Sequence, residues 1–272
     1  MRALGVLLLL VLLAGCADRT NVDGTGSHPA PSRSITPDGL VIQVRYGGGL
    51  MAPTGRLTEV PLLSVYGDGH VIVPGPVTDV YPGPALPNLR LRHLAPADVD
   101  NLVEQGLDAG VGTTGDLGQP QVADAPTTTF YVAGRTTEVD ALGIGADANL
   151  TPAQRDARRR LQHLLGVLQR LSTGQTVPYV ATRVAAVSTP WSGDPDGPPS
   201  PPAAVAWPGP QLPGDTTGAY GCAVAAGDQA TAVLAAAAKA NTLTPWTSAG
   251  TRWRVTLRPL LPDESTCADL TR

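Results

Sequence analysis

Residues 127–142 read TTTFYVAGRTTEVDAL, and residues 151–171 read TPAQRDARRRLQHLLGVLQRL. The first stretch holds two runs rich in threonine, valine and aromatic side chains on either side of Gly134, and this pattern predicts a β-hairpin. The second stretch repeats its apolar residues with the period of an α-helix. Together the two stretches predict a hairpin followed by a helix.

The predicted helix has clear boundaries. Thr151 and Gln154 have the spacing of a capping box, and Pro152 occupies the first helical position, where proline is well accommodated. Gly174 is expected to end the helix. One face of the helix is apolar and is formed by Ala157, Leu161, Leu164, Leu168 and Leu171.

The same order of elements occurs earlier in the chain. Residues 62–66 and 70–73 predict a hairpin, residues 88–94 predict an extended segment, and residues 96–110 predict a helix. Hairpins followed by helices are typical of an α+β fold, in which helices pack on one side of an antiparallel sheet. A further strand opens the folded part, with a single face formed by Leu40, Ile42, Val44 and Tyr46.

The C-terminal part has weaker patterns. Residues 179–187 predict a strand with Val180 and Val184 on one face, and Asp228 is expected to cap a helix. Residues 251–258 alternate in the manner of a half-buried strand. In that strand we expect Trp253, Val255 and Leu257 to point inward and Arg252, Arg254 and Arg258 to point outward.

Composition divides the chain into five predicted regions. Proline is dense between the last predicted strand of the main domain and the C-terminal part, which indicates a linker or a surface loop. The expected regions are a signal peptide (1–15), a lipidated cysteine with a flexible tether (16–37), a main α+β domain (38–187), a proline-rich linker or loop (188–214) and a disulfide-stapled C-terminal subdomain (215–272).

The N-terminus has the pattern of a bacterial lipoprotein signal. Arg2 precedes an aliphatic run at residues 5–13, which is shorter than the roughly 20 residues that a membrane-spanning helix needs. Leu-Ala-Gly then leads directly to Cys16, whose thiol would be diacylated, and two acyl chains anchor a protein stably. We therefore expect the mature protein to be anchored on the extracytoplasmic face of the cell membrane. The alternative is an ordinary secretory signal with a chance cysteine.

The two remaining cysteines are Cys222 and Cys267. In an exported protein two thiols most simply form a disulfide. A free reactive thiol and a metal-binding pair are the other interpretations, although no histidine is close to either cysteine in the sequence. The net charge of −4 and the pI near 5.5 argue against a nucleic-acid partner, since such domains are usually basic.

No catalytic motif stands out. The chain has no Gly-x-Ser-x-Gly nucleophile motif, and no metal or cofactor site is predicted. His70 lies close to Asp68, but a solvated strand residue after a turn aspartate explains this pair best. If the protein were a hydrolase, the first candidates for its acid and base would be Asp68, His70 and Asp140.

The most unusual loop surrounds Tyr81. Pro82 and Pro84 follow the tyrosine, and stiffening by proline lowers the entropy that a loop loses on binding. The loop is therefore a candidate recognition surface. It could equally fold back as a lid over the core.

Several motifs have a familiar combination. They are Val65-Tyr66-Gly67-Asp68-Gly69-His70-Val71-Ile72, Tyr81-Pro82-Gly83-Pro84-Ala85-Leu86-Pro87-Asn88, Asp124-Ala125-Pro126-Thr127-Thr128 and Arg258-Pro259-Leu260-Leu261-Pro262-Asp263-Glu264. Together they resemble a group of secreted lipoproteins of high-GC Gram-positive bacteria, of the actinobacterial type. The resemblance implies an envelope location and the final disulfide, and it supplies no activity or catalytic residues to carry over, so it leaves the function open.

The sequence therefore predicts a membrane-anchored lipoprotein that binds a protein or a polymer of the cell envelope without catalysis. The contact surface would be the Tyr81 loop or the proline-rich segment. Three alternatives remain open: a cell-wall hydrolase, a small-ligand-binding lipoprotein and, less well supported, an inhibitor of secreted proteases.

Overall fold

The structure is a computed structural model that describes residues 39–49, 54–113, 115–145, 148–193 and 202–271. The described residues form one compact unit. The elements in chain order are β1 (Leu40–Gly48), α1 (Gly55–Thr58), β2 (Leu63–Tyr66), β3 (His70–Pro74), β4 (Leu89–His93), α2 (Pro96–Asp108), β5 (Pro126–Val132), β6 (Arg135–Asp140), α3 (Pro152–Gln169), β7 (Val177–Pro178), β8 (Arg183–Pro190), β9 (Val205–Ala206), β10 (Asp215–Thr217), β11 (Tyr220–Ala226), α4 (Gly227–Ala237), β12 (Trp246–Ser248) and β13 (Thr251–Pro259). Short 3-10 helices occupy Arg170–Ser172 and Cys267–Thr271.

The first sheet has the strand order β6-β5-β1-β2-β3-β4-β7, and every strand pair in it is antiparallel. Helices α2 and α3 share its apolar core, so the α+β class with helices on one side of the sheet is confirmed. Burying such large aliphatic and aromatic side chains contributes about 1.5–3 kcal/mol for each of them. The core includes Val44, Val65, Phe130, Leu164 and Leu168, all fully buried.

Local sequence signals explain the elements at this sheet. Thr151 and Gln154 make both bonds of the capping box, and α3 begins at Pro152 as expected. The β5–β6 hairpin turns at Ala133 and Gly134, whose φ angles are +47° and +83°. Two positive φ angles in a two-residue turn match the twist of the flanking strands, and this explains the glycine.

A β-bulge changes the predicted face of β1. Leu40 pairs with Tyr66, whereas Ile42 pairs with Val65, so two residues of β1 face one residue of β2. Leu40 consequently packs with Tyr66 on the sheet face that is opposite to the helices. The predicted common face of Leu40 and Ile42 is therefore wrong, because one extra residue reverses the side-chain alternation.

The second sheet has the strand order β10-β11-β8-β13-β12-β9, and only β9 and β12 are parallel. Helix α4 packs on one face together with Trp207 and Trp246, whose rings meet edge to face at 5.4 Å. The central strand β8 begins at Arg183 and extends into the predicted proline-rich region, so this sheet begins before residue 215. Within that region Trp207 and Leu212 are buried, which means that its second part is packed rather than a free linker.

Three further details of the C-terminal part differ from expectation. Val180 is 77% exposed, because strand β8 begins only at Arg183, and it does not share the buried face of Val184. Asp228 lies in the first turn of α4, where the N-cap residue is Ala226. Arg258 is fully buried rather than outward-facing, because its guanidinium donates to the buried carboxylate of Glu264.

The predicted disulfide is confirmed. Cys222 of β11 bonds to Cys267 of the last 3-10 helix, with a Cα–Cα distance of 6.2 Å. The bond attaches the C-terminal segment to the second sheet, and Leu270 packs beside it with Leu57 of α1. The predicted signal peptide, Cys16 and the tether up to residue 37 lie outside the described residues. In the described part of the chain, no helix is long and apolar enough to cross a membrane.

Candidate functional site

An open polar cleft lies on the face of the first sheet that the helices leave uncovered. Its floor comes from β1, β5 and β6, whose register places residues in rows across the three strands. One row is Gln43, Tyr131 and Thr136, and the next is Arg45, Thr129 and Glu138. The opposite side chains of β5, Phe130 and Val132 among them, fill the core beneath.

The C-terminal segment and helix α1 form the wall of this cleft. The cavity measures about 620 Å³ and is bordered by hydroxyl, amide and charged side chains. Its polar lining residues are Gln43, Arg45, Tyr46, Arg56, Glu59, Thr127, Thr129, Tyr131, Thr136, Glu138, Asp263, Asp269 and Thr271.

A buried ionic network holds that wall in place. Glu264 is almost fully buried, and its carboxylate accepts a hydrogen bond from the Arg258 guanidinium at 2.9 Å and from the Leu261 N–H at 2.7 Å. Arg45, from the cleft floor, is 3.6 Å from the same carboxylate. Arg258 also donates to the backbone carbonyls of Glu59 and Pro259. Its burial is satisfied by these bonds, as a buried charge requires.

The electrostatics of the network follow from its burial. Burial raises the pKa of the Glu264 carboxyl, while the charge of Arg258 and the N–H of Leu261 act in the opposite direction. Burial also raises the pKa of Tyr66, whose hydroxyl donates to Asp263 at 2.6 Å. The carboxylates of Glu264 and Asp263 therefore both make bonds that hold the C-terminal segment against β1 and β2.

Asp269 closes the last turn of the chain. Its carboxylate accepts hydrogen bonds from the backbone N–H and the hydroxyl of both Ser265 and Thr266. The two N–H groups hold the pKa of Asp269 well below its usual range, because they stabilise the charged form. This arrangement orders residues 265–269 next to the cleft.

The three hydrolase candidates do not meet in one place. His70 lies on β3 and Asp140 lies on β6. In the order of the sheet β3 is the fourth strand from β6, which places the two strands about 19 Å apart at the usual strand spacing. Asp140 instead accepts a hydrogen bond from Thr127, and its backbone carbonyl accepts one from Arg158. None of the three candidates lines the cleft.

Asp68 and His70 do form a local pair, as their spacing suggested. The Asp68 carboxylate accepts from the His70 backbone N–H at 3.0 Å, and it lies 2.5 Å from the His70 ring nitrogen Nδ1. Burial acts to raise the pKa of Asp68, but these contacts outweigh it and hold the pKa below its usual value. Across the β3–β4 pair, His93 lies edge-on to His70. Among the described residues, no group of three or more His, Cys, Asp or Glu side chains could hold a metal ion.

The Tyr81 loop joins β3 to β4 and exposes three large apolar side chains. Val77 is 78% exposed, Val80 63% and Tyr81 64%. A monomeric surface usually scatters such side chains singly, whereas here they occur within five consecutive residues. The tip of the loop is thus an apolar surface of the kind that proteins use for contacts.

The base of this loop is fixed at both ends. The Gly75 N–H donates to the Asn88 carbonyl at 2.7 Å, and the Asn88 side chain returns a bond to Pro76. On the far side, Pro84 forms a bridge with Asn241, and Leu86 packs on the core of the second sheet. The loop is therefore held between the two sheets, with Tyr81 at its exposed end.

The sequence reasoning missed the cleft and its ionic wall. The period-two pattern of β1 did contain a signal, because Gln43 and Arg45 alternate with core residues and must face the other side. No comparable signal marked Arg258, whose alternation with apolar residues is also the pattern of a solvent-facing strand side.

Comparisons with known proteins add no assignment. No protein-family model, no curated protein and no solved structure matches this chain. The fold and the site define an α+β protein of two antiparallel sheets, with an open polar cleft on one sheet and an exposed apolar loop between the two.

Proposed function

We propose that this protein is a lipoprotein of the extracytoplasmic membrane face that binds an envelope partner without catalysis, with the Tyr81 loop as its contact surface. The observation that carries the proposal is the exposure of Val77, Val80 and Tyr81 on one anchored loop. A protein partner fits this surface better than a polysaccharide, because the tip offers mainly apolar area, with Asp79 as the one charged side chain among residues 77–81.

The physical argument rests on preorganisation. Binding gains free energy when apolar surface leaves water, and it loses free energy when mobile groups become ordered. The hydrogen bonds at Gly75 and Asn88 and the bridge at Pro84 fix the loop before any partner arrives. Tyrosine is also among the residues that most often dominate interface energetics.

Replacing Tyr81 with alanine is expected to weaken partner binding by about 2 kcal/mol, or roughly thirtyfold in Kd, because an aromatic anchor is lost. The melting temperature should fall by less than about 3 °C, since the side chain is largely exposed. Biolayer interferometry measures how tightly the unaltered full chain and the Tyr81 variant each bind solubilised envelope proteins of the source cells.

The matched control for Tyr81 is Ile144→Ala, which removes an exposed large apolar side chain at the other end of the first sheet. We expect Ile144→Ala to bind as the unaltered chain does. If the Tyr81 variant bound as tightly as the unaltered chain, the Tyr81 loop would not be the contact surface.

Lipid anchoring through Cys16 has a separate test. Replacing Cys16 with serine removes the thiol that would be acylated, so the chain should move from the membrane fraction to the soluble fraction. In the unaltered protein, mass spectrometry of the N-terminal peptide should find a chain that begins at Cys16 and carries acyl groups. A serine variant that stays with the membrane, or a mature N-terminus elsewhere, would contradict the anchor.

A further inference from the structure

Strand β6 is an edge of the first sheet, and it borders the cleft. It pairs with β5 through six consecutive residues, without a bulge and without proline. Natural proteins usually protect such an edge with proline, charged side chains, a bulge or a covering segment, because its backbone groups can pair with another chain. Of these devices β6 has only charged side chains, at Arg135, Glu138 and Asp140, so a pairing segment must carry the complementary charge. The hydrogen bonding on the free side of β6 therefore decides whether another chain can pair with it.

The turn geometry fixes which backbone groups point to the open side. In a hairpin with a two-residue turn, the flanking residues Val132 and Arg135 form a hydrogen-bonded pair, and such pairs recur at every second residue. The backbone N–H and C=O groups of Thr137 and Val139 thus bond to β5. The backbone N–H and C=O groups of Thr136 and Glu138 point away from β5. Within the part of the chain that the structure describes, these four outward groups have no hydrogen-bond partner.

The side chains at the same positions face the cleft. Thr136 and Glu138 are both exposed, and both line the cavity beside Tyr131 and Thr129. A strand added next to β6 would extend the rows of the floor, so its inward residues would lie directly beside Thr136 and Glu138. The cleft wall would remain on the other side of the floor.

Charge selects the sequence of such a strand. Glu138 lines the cleft and makes no ion pair with any described residue. Asp140 lies outside the cleft on the same face of β6, where its carboxylate accepts a hydrogen bond from Thr127 and adds a second negative charge. Opposite charges on neighbouring strands attract, and like charges repel. A second copy of the chain would bring a further Glu138 and Asp140 to the same strip, which disfavours pairing of β6 with itself.

The geometry points to a peptide-binding site at β6: an extended segment of a partner protein adds as a strand, with a basic side chain beside Glu138 and its backbone bonded to Thr136 and Glu138. This is β-strand addition, in which main-chain bonds supply affinity and alternate side chains supply specificity. The site is separate from the Tyr81 loop, so either can fail without the other.

The test uses the full chain with acetylated, fluorescent octapeptides of alternating threonine and lysine, or of alternating threonine and glutamate. We expect the lysine peptide to bind at least fivefold more tightly by fluorescence anisotropy. Hydrogen exchange at the amides of Thr136 and Glu138 should slow at least tenfold when that peptide is bound. A lysine peptide that is N-methylated on its bonding edge should not bind.

Two substitutions separate the backbone from the charge. Thr136→Pro removes an outward N–H while leaving the bonds to β5 and the Glu138 carboxylate, so peptide binding should be lost. Glu138→Lys keeps the backbone and should reverse the preference toward the glutamate peptide, while Glu104→Gln on the exposed side of α2 should change nothing.

Three results would overturn the peptide-binding site. The first is equal affinity for both peptides, and the second is protection that spares Thr136 and Glu138. The third is concentration-dependent protection without peptide, which would assign the edge to self-association.

Discussion

Replacing Glu264 with alanine is expected to lower the free energy of unfolding by about 3–5 kcal/mol. Glu264 and Arg258 are both about 1% exposed, and their side chains are 2.9 Å apart. The alanine variant would leave the Arg258 guanidinium in the interior without its carboxylate, and an uncompensated buried charge is costly. Urea unfolding of the full chain, followed by tryptophan fluorescence, gives the free energy.

Two control variants distinguish loss of the Arg258–Glu264 ion pair from a general loss of packing. Glu104→Ala, on the exposed surface of α2, should change the free energy of unfolding by less than about 0.5 kcal/mol. The double variant Arg258→Met with Glu264→Leu should recover much of the loss, because apolar replacement of a buried pair is often neutral. A loss below about 1 kcal/mol in Glu264→Ala would show that the network does not fix the C-terminal segment.

Removing the disulfide is the second change with a large expected effect. Cys222 and Cys267 are 45 residues apart, and closing a loop of that length stabilises by about 4 kcal/mol in the chain-entropy model. The double variant Cys222→Ala with Cys267→Ala should lose stability on this scale. It should also loosen the last 3-10 helix, whose Leu270 packs beside α1. Urea unfolding and hydrogen exchange at residues 265–271 measure the two effects.

The reduced protein provides the matched comparison for the disulfide variant. The unaltered chain in excess reductant should match the double-alanine variant within about 1 kcal/mol, because both lose the same loop constraint. If reduction changed nothing while the variant was unstable, the effect would come from the alanine side chains in the core around Cys222.

Much of the fold could be predicted because its local signals agree with its tertiary packing. Thr151 and Gln154 specify the start of α3, and the turn at Gly134 specifies the β5–β6 hairpin, without help from distant residues. Elements with strong caps and turns are therefore recovered from sequence alone. The confirmed disulfide adds a constraint that the count of cysteines already indicated.

The differences arise where distant contacts decide the outcome. The bulge at Leu40 depends on how β1 pairs with β2, and no residue near Leu40 predicts it. Arg258 is buried because Glu264 and the carbonyl of Glu59 meet it, the latter from 199 positions earlier in the chain. Alternation along β13 could not distinguish this buried arginine from the exposed Arg252 or from the half-buried Arg254, which donates to the Gly193 carbonyl.

The cleft is a product of topology rather than of a motif. Its floor joins β1 to β5, which are far apart in sequence, and its wall is a C-terminal segment held by the ionic network. The Tyr81 loop, by contrast, was recognisable from its proline content, because stiff loops with aromatic residues have a local signature. In the structure Tyr81 is exposed and does not fold back over the core.

The central claim is that the Tyr81 loop touches an envelope partner, and site-specific photo-crosslinking tests it most directly. A photoreactive phenylalanine analogue at position 81 of the full chain, produced in the source cells, should capture one protein in stoichiometric yield on irradiation. The same analogue at position 104, on the exposed side of α2, should capture nothing comparable. Capture of no protein at position 81, or of the same set at both positions, would contradict the claim.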